Sequence, residues 1–212
     1  MKKFEKSEAI WEQARKLIPA GTQSLSKSPT SFVDGATPKY VVRAKGCTMT
    51  DVDGNEYIDY GMALGPIVLG YNHPVTNNAV IRQLKNGIIF SLLNPLELEL
   101  AKLLNSLIPF AEMVRYGKNG SDATTIAVKV ARAYTGKDKI ICCGYHGWHD
   151  WYNATTERNK GVPQAIKDLT FKFEFNNIES LKKIFKENKD EIACVIMEPV
   201  HAQEPKEGFL QE

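Results

Sequence analysis

The sequence predicts an α/β fold with a mostly parallel sheet and helices on both faces. Three observations carry this. Ile140–Cys143 and Ile192–Met197 read as apolar strands, the second an unbroken run. Between and before them lie helical patterns, Ser121–Tyr134 and Ile178–Phe185. With a short strand at Met113–Tyr116, the order becomes strand, helix, strand, helix, strand, the signature of α/β units.

The first element is a helix with Ile10, Trp11, Ala14, Leu17 and Ile18 on one stripe. Pro19, Gly21 and the polar stretch Thr22 to Pro29 follow as loop. Strands occupy Tyr40 to Tyr60 and include Cys47. Asp53-Gly54 joins Thr48–Val52 to Glu56–Asp59 as a hairpin. Asp51, Asp53 and Asn55 imitate the start of a calcium loop, but Glu56 stands where its glycine belongs and Met62 where its closing acid belongs. Pro74 opens a helix that ends near Gly87. Asn94-Pro95-Leu96-Glu97 opens another, with a cap, a first-turn proline and a first-turn acid. In the helix Ser121–Tyr134, the residues Ala123, Ile126, Ala127, Val130, Ala131 and Tyr134 form the apolar stripe, and Gly136 closes it. A boundary is expected at residue 65, dividing an N-terminal segment, 1–65, from an α/β domain, 66–212.

Composition narrows the function. The chain has 212 residues, a formal charge of +2, 43% hydrophobic and 25% charged residues. That is ordinary for a globular protein and argues against a disordered chain or a disulfide scaffold. The balanced charge gives no footprint for nucleic acid, and no apolar run approaches the roughly 20 residues of a membrane span. The charged start lacks the apolar core of a signal peptide. Cys47, Cys142, Cys143 and Cys194 read as reduced thiols of a cytoplasmic protein. A zinc set from Cys142, Cys143, His146 and His149 is set aside, because adjacent strand residues point to opposite faces. No metal is expected.

Ligands of open α/β sheets bind at the carboxyl ends of the strands, and three such ends are unusual. Lys118-Asn119-Gly120-Ser121 precedes a helix, whose free N–H groups favour an anion such as phosphate; alternatively Ser121 only caps its own helix. Gly144-Tyr145-His146-Gly147-Trp148-His149-Asp150 follows a strand. Its aromatics could stack on a flat ring, or could pack on the core. Glu198 ends an apolar strand, where a carboxylate is costly unless paired or facing a site; a solvated acid is the plainer alternative. A phosphate, a planar ring and a polar cluster at one sheet edge outline a pyridoxal phosphate site. A flavin or a nucleotide fits the same outline, although no GxGxxG or P-loop is present.

These residues sit in an ordered series of motifs. It runs through Ala44-Lys45-Gly46, Asp51-Val52-Asp53-Gly54-Asn55-Glu56-Tyr57-Ile58-Asp59-Tyr60, Gly65-Pro66, Leu69-Gly70 and His73-Pro74. It continues with Asn119-Gly120-Ser121-Asp122-Ala123, Ala131-Arg132-Ala133-Tyr134-Thr135-Gly136, Tyr145-His146-Gly147, Met197-Glu198-Pro199 and Gly208-Phe209-Leu210. In this order the chain resembles the class III pyridoxal-phosphate-dependent aminotransferases, in particular the glutamate-1-semialdehyde 2,1-aminomutase group. The resemblance implies fold type I, here incomplete, with the N-terminal segment belonging to a small domain. It implies pyridoxal 5'-phosphate as cofactor, with Asn119, Gly120 and Ser121 at the phosphate, Tyr145 stacked on the ring and Glu198 beside it; His146, by its own chemistry, is a further cofactor-binding candidate that can hydrogen-bond the ring or carry protons. It also implies amino-group transfer between small molecules, and a homodimer.

The same resemblance places the cofactor-binding lysine and the aspartate at the pyridine nitrogen beyond Gly208-Phe209-Leu210. They are therefore expected outside residues 1–212, and the chain is expected to be an N-terminal half that is inactive alone. Lys118, Lys129 and Lys139 match other places. Ser24 and Lys27 align with the substrate-binding segment. Lys27 replaces an arginine, which exchanges a bidentate fork for a point charge. With Leu64 in place of a tryptophan, this departure points away from glutamate semialdehyde and towards another small amino acid, keto or amino-sugar substrate. The competing expectation is a non-catalytic cofactor-binding or assembly subunit of a split enzyme.

Overall fold

The computed structural model describes residues 3–33, 35–200 and 202–211. The chain divides into two compact units, Met1–Asn94 and Pro95–Glu212.

In the first unit, helix α1 (Glu5–Leu17) precedes three single helical turns. Strands β1 (Val41–Lys45), β2 (Thr48–Asp51) and β3 (Glu56–Ile58) then form an antiparallel sheet in that order. The Asp53-Gly54 hairpin is as expected, with Thr48 opposite Ile58 and Thr50 opposite Glu56. Cys47 is not in a strand: it occupies the tight turn between β1 and β2 and is exposed.

Two aspartates organise this unit. The buried Asp51 carboxylate accepts from the Asn55 backbone N–H and side-chain amide, both at 2.8 Å, and from the Tyr57 hydroxyl at 2.9 Å. Asp53 reaches outward and caps α1 from another element, accepting from Lys6 N–H at 2.7 Å, Ser7 N–H at 3.0 Å and the Ser7 hydroxyl at 2.7 Å. A helix start needs such acceptors, and the α1 N-cap position, Phe4, supplies none from its side chain. Burial raises both carboxyls, but these donors outweigh it and hold both below the usual range. Burial and the bond to Asp51 push the Tyr57 phenol up to about 12. Helix α2 (Pro74–Asn86) follows and buries no residue within this unit.

The second unit opens with α3 (Pro95–Leu107), which also buries none of its residues. The strand expected at Met113–Tyr116 is absent, because a strand exists only as a pair and that segment has no partner among the described residues. Next come α4 (Gly120–Thr135), β4 (Lys139–Cys143), α5 (Asp150–Asn153) and α6 (Gln164–Lys167). Strand β5 (Thr170–Lys172), helix α7 (Ile178–Glu187) and strand β6 (Ile192–Met197) complete it. The sheet order is β5-β4-β6, with both pairings parallel.

Central β4 is buried on both faces. On one face Ile140 and Cys142 pack with Val128 of α4 and Trp151 and Tyr152 of α5. On the other Ile141 and Cys143 pack with Phe173, and with Leu181 and Ile184 of α7. Cys142 and Cys143 therefore point to opposite faces, as the strand period requires, and helices cover both faces.

The face that α4 turns inward differs from the apolar stripe. Ser121, Thr124, Thr125 and Val128 are buried or half-buried, whereas Ala127, Val130 and Tyr134 are exposed. The inward hydroxyls of Thr124 and Thr125 have hydrogen-bond partners, which offset most of the cost of removing them from water.

Removing the Asp51 carboxylate in Asp51→Ala takes away the acceptor shared by the Asn55 backbone N–H, the Asn55 side-chain amide and the Tyr57 hydroxyl. Chemical denaturation should show a loss of roughly 1–3 kcal/mol. The depressed carboxyls make the unit acid-sensitive. Their stabilisation is full above the unfolded value near about pH 4 and is lost as pH falls through the folded values. Amide protection at Ser7 and Asn55 should track that loss, and protection independent of pH would contradict it.

Leu96, Leu98, Leu100, Leu103 and Leu107 of α3 are all exposed. So large an apolar surface predicts self-association. Light scattering should report mass above that of one chain, rising with concentration; a monodisperse monomer would disprove it.

Candidate cofactor site

The site is built at the carboxyl end of the parallel sheet. Gly144 follows β4 with φ +91°, turning the chain out of the strand. Glu198 follows β6, and its N–H donates to the Cys143 carbonyl at 3.1 Å, extending the β4–β6 ladder by one step. Its carboxylate then accepts the Tyr145 N–H at 2.9 Å. A Cβ on Gly144 would lie 2.6 Å from Glu198 Oε2. Half-buried Glu198 thus holds the start of the loop rather than standing in solvent.

Within the loop the aromatics divide their tasks. His146, Trp151 and Tyr152 are buried and pack on one another, His146 and Trp151 with near-parallel rings at 6.0 Å. His146 Nε2 lies 2.8 Å from the Cys143 carbonyl, which makes that nitrogen the donor. The Tyr152 hydroxyl donates to the Gly144 carbonyl at 3.0 Å. Tyr145 and Trp148 instead present exposed rings, 66% and 68% accessible.

Opposite this loop stands the N-terminus of α4. The expectation that Ser121 might serve only as a cap is answered by Asn119, which is the cap. Its side chain accepts the Asp122 N–H at 3.0 Å, and the Asp122 carboxylate accepts the Asn119 N–H at 3.3 Å, a reciprocal capping box. The Ser121 hydroxyl and the Gly120 and Ser121 N–H groups have no hydrogen-bond partner among the described residues. These three donors, at the positive end of a sixteen-residue helix, suit an anion.

Gly147 brings the two segments together. Its φ of +105° is in the left-handed range, and a Cβ there would meet Ser121 Oγ at 2.2 Å. The Thr124 hydroxyl crosses the same gap to the His146 carbonyl at 2.8 Å. The result is a cavity of about 430 Å³ lined by Asn119, Gly120, Ser121, Thr124, Tyr145, His146, Gly147 and Trp148. A second cavity of about 640 Å³ adjoins it at Tyr145 and contains Lys172, Glu198 and Cys143. Burial raises the Cys143 thiol, which keeps it protonated and poorly nucleophilic.

Of the site residues expected from sequence, Asn119, Gly120, Ser121, Tyr145 and His146 share the first cavity, and Glu198 lines the second. Ser24 and Lys27 belong to the N-terminal unit, where Lys27 ends the single helical turn Leu25–Lys27 and both side chains are exposed. Sequence reading missed Thr124, Thr125, Gly147 as a contact residue, and Lys172. The last ends β5, a strand too short to show a period. Lys129 is exposed on α4, away from the cavity.

The chain matches the family model "Aminotransferase class-III" over residues 33–209. It is 43% identical over 216 residues to a 3-aminobutyryl-CoA aminotransferase of Cloacimonas acidaminovorans, covering 99% of this chain and 51% of that protein. It is 40% identical over 225 residues to a glutamate-1-semialdehyde 2,1-aminomutase of Desulforamulus reducens, covering 98% of this chain and 51% of that protein. Among solved structures it is similar to an omega-transaminase from Sphaerobacter thermophilus, with a TM-score of 0.83 and 28% identity over 96% of this chain and 50% of that one. It is also similar to a transaminase with PLP bound, at a TM-score of 0.87 and 28% identity over 99% of this chain and 51% of that one. The chain spans about half the length of the curated relatives it matches.

The close approach at Gly147 gives a direct test. Gly147→Ala combines a strained φ with a collision at Ser121. It should weaken binding of inorganic phosphate at the Gly120 and Ser121 amides by at least about tenfold, a 1.4 kcal/mol effect. Unchanged phosphate affinity, read from those amide shifts, would show that the two segments need not be in contact.

Proposed function

The chain belongs to the class-III aminotransferases, and we propose that its C-terminal unit holds pyridoxal 5'-phosphate for amino-group transfer between small molecules. The single observation that carries this reading is the cavity in which the Ser121 hydroxyl and two free N–H groups stand opposite the exposed Tyr145 ring. That arrangement suits one phosphate and one flat ring.

In this reading the Gly120 and Ser121 amides and the Ser121 hydroxyl hold the phosphate, and Asn119 keeps the helix end in shape. Tyr145 stacks on the pyridine ring. Glu198 fixes the Tyr145 backbone and sets a negative charge beside the ring. His146 buttresses the loop from below, donating to the Cys143 carbonyl. When bound, the cofactor supplies an electron sink for carbanion formation on the substrate. Ser24 and Lys27 contribute to substrate binding, Lys27 as a point charge that suits an anionic group without demanding a planar carboxylate. Residues 1–65 form part of a small domain, and the complete enzyme is a cytoplasmic homodimer.

We further propose that the lysine and aspartate completing the chemistry lie outside residues 1–212, so that these residues alone bind cofactor without turnover. The exposed apolar face of α3 also supports the alternative, a cofactor-binding or assembly subunit that works against a second chain.

Borohydride reduction in the presence of pyridoxal phosphate, followed by peptide mapping, tests both parts. Binding without a site-specific lysine adduct is expected. One stoichiometric adduct with turnover would overturn the half-enzyme reading; Lys172, whose cavity adjoins Tyr145, is the position to inspect. A Tyr145→Ala variant that binds pyridoxal phosphate as tightly as the unsubstituted chain would remove the stacking role.

A further inference from the structure

Asp122 lies in the first turn of α4, two residues from Gly120, where a free negative charge would oppose a bound phosphate. Its charge is not free. One carboxylate oxygen accepts the Lys118 and Asn119 N–H groups at 3.2 and 3.3 Å, and the other faces His149 Nε2 at 3.9 Å. The second ring nitrogen, His149 Nδ1, lies 2.8 Å from the Thr125 hydroxyl oxygen. That oxygen also accepts the Trp151 indole N–H, again at 2.8 Å.

These atoms have one consistent order for a neutral imidazole. The indole only donates and the carboxylate only accepts. Trp151 therefore donates to Thr125, Thr125 donates to His149 Nδ1, and His149 Nε2–H points at Asp122. The opposite tautomer would set a bare nitrogen lone pair against a carboxylate. The hydrogen-bonded run begins at a buried tryptophan of the sheet core and ends at His149, whose Nε2 lies 3.9 Å from the carboxylate that accepts the two amides preceding Gly120. Neither Thr125 nor His149 lines the cavity itself.

We propose that His149 and Thr125 are positioning residues for the anion site. They tie the loop after β4 to α4 through the Thr125–His149 hydrogen bond, which turns the Nε2 edge of the ring towards the Asp122 carboxylate and offsets its charge beside the cradle. The proposal rests on the reading that Gly120 and Ser121 hold the cofactor phosphate, and its test separates the two ideas.

The chain is labelled with 15N in the backbone and in the histidine rings and titrated with inorganic phosphate, then with pyridoxal phosphate. Ligand-free protein should show His149 as the Nε2–H tautomer. Thr125→Val keeps the side-chain shape and removes the hydroxyl. It should shift the His149 ring signals and weaken phosphate binding at the Gly120 and Ser121 amides about tenfold. Thr125→Ser should restore both, which a general loss of packing would not. An Nδ1–H tautomer, or a Thr125→Val chain that binds phosphate as tightly as the unsubstituted one, overturns the proposal. If the unsubstituted chain fails to shift Gly120 and Ser121 with either ligand, the cofactor reading falls instead. The tautomer, and its response to Asp122→Asn in ligand-free protein, then decides the coupling by itself.

Discussion

Burial of β4 on both faces is the constraint on which the second unit depends. Two parallel neighbours fix its edges, and the two clusters around Val128 and Phe173 fix its faces. A strand held on four sides has no freedom in where it ends. The loop that follows must therefore leave at Gly144, beside the end of β6, and the Glu198 carboxylate meets the Tyr145 amide as a consequence. Packing of α4 and α5 on one face of the same strand then sets the helix N-terminus against that loop. The free donors of the helix end and the exposed tyrosine ring are brought together by core packing, with the Thr124–His146 hydrogen bond and the close approach at Gly147 fixing the fit.

The first unit solves a different problem by polar means. Its small sheet has few buried apolar residues, and its fixed points are carboxylates. Asp51 closes the hairpin from within, and Asp53 projects from the same turn to cap α1. A carboxylate withdrawn from water, fully as at Asp51 or partly as at Asp53, is costly when unpaired. Here each one is matched by several donors, so it specifies geometry that a generic apolar contact would leave loose. The motif that imitates a calcium loop is thus a turn that satisfies its own acids with amides, a hydroxyl and a phenol.

Much of this was legible before any coordinates. The strand Ile192–Met197, the helix openings at Pro74 and Pro95 and the Asp53-Gly54 hairpin all carry local signals: an unbroken apolar run, a first-turn proline, a turn dipeptide. The three strand ends also stood out, because glycines, an aromatic-rich loop and a carboxylate are unusual neighbours for apolar strands. What misled was periodicity on α4. Counting apolar residues selected Ala127, Val130 and Tyr134 for the inner face, whereas the helix turns Thr124 and Thr125 inward. Hydropathy ranks a threonine by its cost in isolation, but a threonine with a waiting carbonyl or indole incurs little of that cost. Strand β5 was missed because three residues are too few to show a pattern, and Met113–Tyr116 was expected to pair where the described residues supply no partner.

By itself, then, the sequence determined the class of fold and the family, and it singled out the three strand ends proposed to meet a cofactor, since each is written in local pattern or in motif order. Only the tertiary structure decided which groups are free to bind. It gave the capping task to Asn119 and so left the Ser121 hydroxyl open. It buried His146 against the Cys143 carbonyl while exposing Tyr145, and it joined Trp151 to His149 through the Thr125 hydroxyl. The reason is physical: whether a donor is spent or available depends on atoms brought near by packing, from residues that can lie tens of positions away along the chain.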